Sequence, residues 1–382
     1  MVDIKKILKD MIEWGASDLH LKVASQPNLR VNGTLEYLDQ YPPPTVQDMV
    51  GVAQQILTPS QREMFESTRE IDFAFGVPGV ARFRANFYVQ RGTIAMVFRH
   101  VPTEIKSVDE LNLPPIVKEL ALRPRGLMLV TGTVGCGKST TLASIVDIIN
   151  SQTSSHVITI EDPIEFLHKD QKSIVSQREV GCDTGSYADA LRHILRQDPD
   201  VILIGEIRDA DSMKVALTAA DTGHLVLSTM HTIDATQTIS RIISFFPPHQ
   251  HQEIRYLLAS TLQAVVSQRL VNDFSGSMRY PAVEIMITTS TIRDFIRDPE
   301  KTVLIRQAIQ EGFVQYQMQT FDQSLMQLYK EKKVSLETAM AASSNPHEFS
   351  LRVKGIQASS DTSWDRFEGS DSSENSEAIT KF

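Results

Sequence analysis

The run Gly132-Thr133-Val134-Gly135-Cys136-Gly137-Lys138-Ser139 constrains this chain more than any other stretch. It reads G-x-x-x-x-G-K-S, follows the apolar run Leu127-Met128-Leu129-Val130, and leads into a helical pattern over residues 141–149. Strand, glycine turn and helix in that order are the setting of a phosphate-binding loop. Glycine lets backbone N–H groups turn inward and approach phosphate oxygens closely. The helix N-terminus adds its partial positive charge. In such a loop Lys138 reaches the β- and γ-phosphates of ATP and the Ser139 hydroxyl ligates Mg²⁺. Gly132, Thr133, Val134, Gly135, Cys136, Gly137, Lys138, Ser139 and Thr140 are therefore the expected nucleotide-binding residues. Gly makes up only 18 of 382 residues, so a chance match has a probability on the order of 0.01.

The phosphate loop lies in a region where apolar runs alternate with helical patterns. Leu127–Val130, His156–Ile160, Val201–Ile204 and Leu225–Ser228 read as strands, and their alternation with helices implies an α/β fold with a mostly parallel sheet. We expect this nucleotide domain to run over 116–345. A smaller α/β domain is expected over 1–100. There Ile4, Ile7, Leu8, Met11 and Ile12 share a helical face, Asn32-Gly33 signals a hairpin, and Thr45 is placed to cap a helix. Residues 101–115, with Pro102, Pro114 and Pro115, read as a linker. Residues 346–382 form a C-terminal extension. From Ala358 it holds seven Ser and six acidic residues against Arg366 and Lys381, the composition of a disordered tail.

Composition narrows the partners. A net charge of −9 gives no general field for nucleic acid. Two cysteines, Cys136 and Cys182, make neither a zinc site nor a disulfide framework and suit a reducing compartment. No 18-residue apolar run is present, and the N-terminus lacks the apolar core of a signal peptide. The expectation is a cytoplasmic protein that meets a membrane only through partners.

Three further stretches carry candidate chemistry. The strand ending at Ile160 delivers Glu161-Asp162-Pro163-Ile164-Glu165 to the loop's edge of the sheet. One of these carboxylates can orient and deprotonate water; helix capping or a solvated loop is the alternative. The strand ending at Ile204 delivers Gly205-Glu206, and an acid in that position holds Mg²⁺ or its waters. His224 and His231 flank a strand and are candidates to relay γ-phosphate state. In the first domain Phe83, Ala85 and Phe87 alternate with Arg82, Arg84 and Asn86, which places the two arginines together opposite the phenylalanines, with Arg91 and Arg99 nearby. A solvated strand face and a cationic surface for a neighbouring subunit's nucleotide both remain open.

These pieces together resemble the secretion-ATPase superfamily of type II secretion and type IV pili, and within it the PilT/PilU pilus retraction ATPases. The matching segments are Gly132–Ser139, Ile160–Phe166 (IEDPIEF), Gly205–Asp209 (GEIRD), Thr222–His231, Ser17–His20 and Thr291–Asp298. Extension and secretion members carry a four-cysteine insertion, which two cysteines cannot supply, and the length and acidic tail are closer to PilU. The 291–298 run departs from the family pattern at four positions. The resemblance implies a PAS-like N-terminal domain, a RecA-like ATPase domain and a homo-hexamer that hydrolyses ATP. It implies Glu165 as catalytic base, Glu206 as the acid beside the metal, Glu161 close by, and Arg82, Arg84 or Arg99 reaching nucleotide across a domain or subunit interface. It further implies a PilT-type ATPase and an inner-membrane platform protein as partners, with the protein peripheral at that membrane, and no direct nucleic-acid partner. A ring subunit that mainly scaffolds a partner ATPase, or a related secretion or DNA-uptake motor, is the alternative.

Overall fold

The structure is a computed structural model that describes residues 2–355 apart from Asn32 and Ser277. The acidic tail, with Trp364 and Phe367, lies outside the described residues. The chain forms two units. The first comprises residues 1–104 with 162–167 and 179–185; the second comprises 105–161, 168–178 and 186 onward.

In the first unit the apolar stripe of α1 (Ile4–Glu13) buries Ile4, Ile7, Leu8 and Met11. Then come β1 (Asp18–Lys22), β2 (Ser25–Val31), β3 (Thr34–Tyr37), α2 (Val46–Ile56), α3 (Pro59–Thr68), β4 (Glu70–Val77), β5 (Ala81–Gln90) and β6 (Thr93–Val101). Thr45 caps α2 in a reciprocal capping box with Asp48. The six strands pair antiparallel in the order β3-β2-β1-β6-β5-β4. Period-two alternation buries Phe83, Ala85 and Phe87 of β5. Phe87 meets Phe73 and Phe98 edge-to-face, at 5.1 and 5.6 Å between centroids, the favoured aromatic geometry.

The segment 162–167, which the sequence assigned to the nucleotide domain, groups with this first unit. Buried Glu179 explains the grouping. Its Oε2 accepts from Arg82 at 3.0 Å and from the Ile164 amide at 3.3 Å, while the Leu167 amide donates to Pro102 O at 3.2 Å.

The second unit contains α4 (Ile116–Ala121), β7 (Gly126–Thr131), α5 (Lys138–Gln152), β8 (His156–Glu161), β9 (Ile174–Glu179, its last residue counted with the first unit), α6 (Tyr187–Ile194), β10 (Val201–Ile204), α7 (Ala210–Asp221) and β11 (Leu225–Met230). It continues with α8 (Ala235–Ser244), α9 (His251–Thr261), β12 (Leu262–Asn272), β13 (Arg279–Ile287), α10 (Ser290–Arg297), α11 (Ile305–Glu311), α12 (Phe313–Tyr316), α13 (Phe321–Lys330), α14 (Leu336–Ala342) and α15 (Pro346–Val353). Its seven-stranded sheet has the order β13-β12-β7-β11-β10-β8-β9, with β12, β7, β11, β10 and β8 parallel and β13 antiparallel to β12. Every residue of β7, β10 and β11 is buried, as expected of parallel strands covered on both faces. Helices α4 and α5 pack over the face that carries Met128, Val130, Leu203, Leu227 and Val266. The sequence reading named four of the seven strands. It passed over β12 and β13, whose apolar runs are interrupted by Ser267, Gln268 and Glu284.

Candidate nucleotide site

The site is built at the carboxyl edge of the parallel strands, where the chain leaves each strand for a helix. The loop after β7 has little room. A Cβ on Gly132 would come within 2.5 Å of Gln268 O and 2.6 Å of Cys136 Sγ, so only glycine fits there. Buried Lys138 opens α5, and its Nζ donates to the carbonyls of Gly132 and Thr133, both at 2.9 Å. Residues on the two neighbouring strands hold the loop. Thr131 Oγ1 donates to Ser267 Oγ at 2.9 Å, the Gln268 carboxamide donates to Thr141 Oγ1 at 2.8 Å, and the Gly132 amide donates to Met230 O at 3.4 Å.

The N-terminus of α5 differs from those around it. Helix α7 is capped by Asp209 and α8 by Asp234, whereas no side chain caps α5 after Gly137. A helix start whose first-turn amides lack a side-chain acceptor, behind a loop that aims a lysine inward, fits the phosphates of a nucleotide.

Two strands away, β10 ends in Gly205-Glu206. The Gly205 amide donates to Ile160 O at 2.8 Å, and a Cβ on Gly205 would meet Tyr187 Oη at 2.9 Å and Ile160 O at 3.2 Å. This close approach sets Glu206 beside the end of β8, where Thr159 and Gln177 donate to Glu161 Oε1 at 2.7 and 3.2 Å. Strand β11, between β7 and β10, brings His231 Nε2 to 3.1 Å from Glu206 Oε1, and Arg208 donates to Glu206 Oε2 at 2.6 Å. Burial raises the Glu206 carboxyl, but the hydrogen bond from Arg208 and the charges of His231 and Arg208 outweigh it and hold the acid below its ordinary range. The Ser139 hydroxyl and the Glu206 carboxylate suit Mg²⁺, a hard cation that takes few protein ligands alongside phosphate and water. Among the described residues no three His, Cys, Asp or Glu gather to hold a metal by themselves.

The remaining candidates are dispersed. His224, paired with His231 in the sequence reading, precedes β11. Its Nδ1 lies 2.9 Å from Ala219 O and 3.2 Å from Thr222 Oγ1, one six-residue strand, about 20 Å, from the loop's edge. That separation removes His224 from direct contact with phosphate; only His231 stands at that edge. Glu165 lies in the 162–167 segment of the first unit. In the same unit Arg82 is engaged by Glu179, and Arg99 is paired with Asp18 at 2.8 Å. Arg84 faces Arg99 across the β5–β6 ladder and has no ion pair or side-chain hydrogen bond among the described residues. The sequence reading gave no site role to Glu179, Ser267, Gln268 or Thr141. Ser267 and Gln268 are polar residues inside the largely buried β12 and Thr141 lies on the buried side of α5, a signal that Glu179, the single buried residue of β9, lacks.

The model of the type II/IV secretion system protein family matches residues 1–365. The chain is 42% identical over 348 residues to the type IV pilus retractation ATPase PilT of Pseudomonas aeruginosa, covering 91% of this chain and 100% of that protein. It is 38% identical over 359 residues to the type IV pilus ATPase PilU of the same organism, covering 92% of each. A crystal structure of the pilus retraction motor PilT with bound ADP superposes with a TM-score of 0.84 at 45% identity, covering 91% of this chain and 99% of that one.

Proposed function

The chain belongs to the type II/IV secretion system protein family, and from that premise we propose that it is an ATP-hydrolysing motor subunit of the PilT/PilU pilus-retraction kind. The observation that carries the proposal is one sheet edge. It holds a phosphate loop with an inward lysine, a helix start without a side-chain cap, and a carboxylate–histidine pair two strands away.

In this reading residues 132–140 cradle the phosphates and Lys138 holds the γ-phosphate. Ser139 and Glu206 hold Mg²⁺, which when bound offsets negative charge on the phosphates. Glu165 takes a proton from the attacking water. The water oxygen bonds to the γ-phosphorus as the bond to the β-bridging oxygen breaks, giving ADP and phosphate. Glu161 orders the neighbouring strand end, and His231 reports phosphate state through Glu206. Of the arginines, Arg84 is best suited to reach a neighbouring copy's nucleotide, because Arg82 and Arg99 already have carboxylate partners. A trans arginine is worth ~10³–10⁵ in rate, so turnover should require assembly into the proposed hexamer.

The proposed division is a domain over 1–100, a linker over 101–115 and an ATPase domain over 116–345. ATP-driven closing and opening about the linker would drive an inner-membrane platform protein. Among the described residues no helix is long and apolar enough to cross a membrane, which supports attachment through that partner. The acidic tail favours the accessory, PilU-like role beside a PilT-type ATPase; the higher identity to PilT favours the principal motor.

Steady-state ATP hydrolysis against protein concentration, beside Glu165→Gln, tests the proposal. Specific activity that rises with concentration and vanishes in the variant is expected. Negligible turnover in an assembled ring that binds ATP would reassign the chain to scaffolding. Unchanged twitching in a deletion strain that normally expresses it would remove the retraction role.

A further inference from the structure

Glu284 on β13 is a buried carboxyl for which the site above has no use. It is only 4% exposed and stands opposite Ser267 in the β12–β13 register. Its Oε1 accepts the backbone N–H of Ala235, the first residue of α8, at 2.9 Å. Among the described residues it forms no ion pair within 4.0 Å. A buried carboxylate held this way opposes folding rather than aiding it, so packing gives no reason for an acid here.

Three charged groups act on Glu284: Asp234, which caps α8, Arg269 on β12 and Arg306 on α11, the last paired with Asp322 of α13 at 2.9 Å. Arg269 is committed elsewhere: it stacks on Phe321 at 3.8 Å and donates to Ala342 O at 2.7 Å. The hydrogen-bond partner of the carboxylate is therefore the start of α8. That start is tied to the nucleotide site by a short loop. Thr232, Ile233 and Asp234 alone separate Ala235 from His231, whose ring touches Glu206. Within the loop Thr232 Oγ1 meets Thr238 Oγ1 at 2.6 Å, so the loop moves with the first turn of the helix.

We propose that Glu284 is a positioning residue for ATP hydrolysis: its carboxylate fixes the first turn of α8 and thereby holds His231 against Glu206. The inference rests on the reading of Glu206 and His231 as part of the ATP site. A helix N-terminus binds an anionic acceptor more strongly than a neutral one, so ionised Glu284 holds α8 more firmly than the protonated acid. Burial, helped by Asp234, pushes the Glu284 carboxyl up to about 7, against the opposing pull of the Ala235 amide, Arg269 and Arg306.

The same group acts on stability with the opposite sign. Its folded pKa is raised above the unfolded value of 4.5. Protonation therefore favours the folded chain. That stability is fully present below the unfolded value and is lost as pH rises through the folded one. Glu284→Gln keeps the shape and an acceptor oxygen but cannot ionise. Above pH 7 it should be more stable than the parent and yet slower.

The experiment uses the full chain and measures kcat, KM, ADP affinity and Tm between pH 5.5 and 8.5. For Glu284→Gln we expect kcat about tenfold lower at pH 8, converging on the parent near pH 6. KM and ADP affinity should stay within about threefold, and Tm at pH 8.5 should be higher than the parent's. In a His231→Ala background the substitution should change kcat by less than about twofold. Parental kcat in Glu284→Gln at pH 8, with His231→Ala impaired, overturns this inference alone. Loss of kcat and Tm together makes Glu284 structural and overturns it too. A parent without ATP turnover, or His231→Ala at full rate, takes down the site reading and the inference together.

Discussion

The two edges of the seven-stranded sheet use polar side chains in opposite ways. At the amino edge they bond chiefly to backbone, with His156 Nε2–Ser176 Oγ and His224 Nδ1–Thr222 Oγ1 as side-chain contacts beside it. Asp200 accepts from the His156 amide at 2.8 Å, His156 Nδ1 lies 3.0 Å from Asp198 O, and His224 bonds Ala219 O. At the carboxyl edge they meet one another or carry charge: Glu206 with His231 and Arg208, Thr159 and Gln177 with Glu161, and Lys138 on loop carbonyls. Groups of the first kind have their partners fixed by the fold, whereas those of the second kind can exchange partners with a ligand. The contrast supports the proposed placement of the chemistry at one edge although acids and histidines occupy both.

Substitutions at the two edges should therefore part company. Lys138→Ala should weaken ATP binding about 100-fold or more, through loss of a charge-assisted contact, in a fluorescent-nucleotide titration; parental affinity would take the phosphate-loop assignment away. Glu206→Gln should cut kcat about 30-fold with ADP affinity within about threefold. Normal Mg²⁺ dependence and turnover in that variant would erase the distinction between the edges at its centre. His231→Ala should lower kcat about tenfold while His224→Ala leaves it within about twofold, and equal effects would mean that strand position does not decide the role. The smallest effect belongs to the amino edge. Asp200→Asn should cost at most about 1 kcal/mol in denaturant unfolding with kcat unchanged.

A pH series sharpens the same contrast. Glu206 is depressed below its ordinary value in the folded chain. Its contribution to stability is present above the unfolded value of 4.5 and is lost as pH falls through the lower folded value. Glu206→Gln should therefore flatten the acid limb of Tm against pH, and an unchanged limb in that variant would remove the contribution.

Legibility in the sequence followed how much of each feature is local. The phosphate loop, the four strands β7, β8, β10 and β11, and the alternating face of β5 all announce themselves by spacing within about ten residues. Glu206 was legible for the same reason, as an acid at the end of an apolar run. What failed to show was long-range. Glu179 acquires its meaning from Arg82, and Gln268 from Thr141, partners 97 and 127 residues away. The grouping of 162–167 with the first unit depends on such a partner as well. His224 precedes a strand that runs toward the loop's edge, so it stands at the far end of β11 and any part in relaying phosphate state would be indirect.

The helix start without a side-chain cap at Gly137 bears on how long the molecule survives. Where Asp209 and Asp234 fasten their helices from within the chain, α5 depends on a ligand for the equivalent bonds. A ligand at 1,000 times its Kd adds about 4 kcal/mol to the folded state, a large fraction of a typical domain's stability. If the proposed site binds nucleotide, the protein should persist longer wherever ADP or ATP fills it. Protease-digestion half-life measured against ADP concentration is where that dependence would appear, and a flat response would dismiss it.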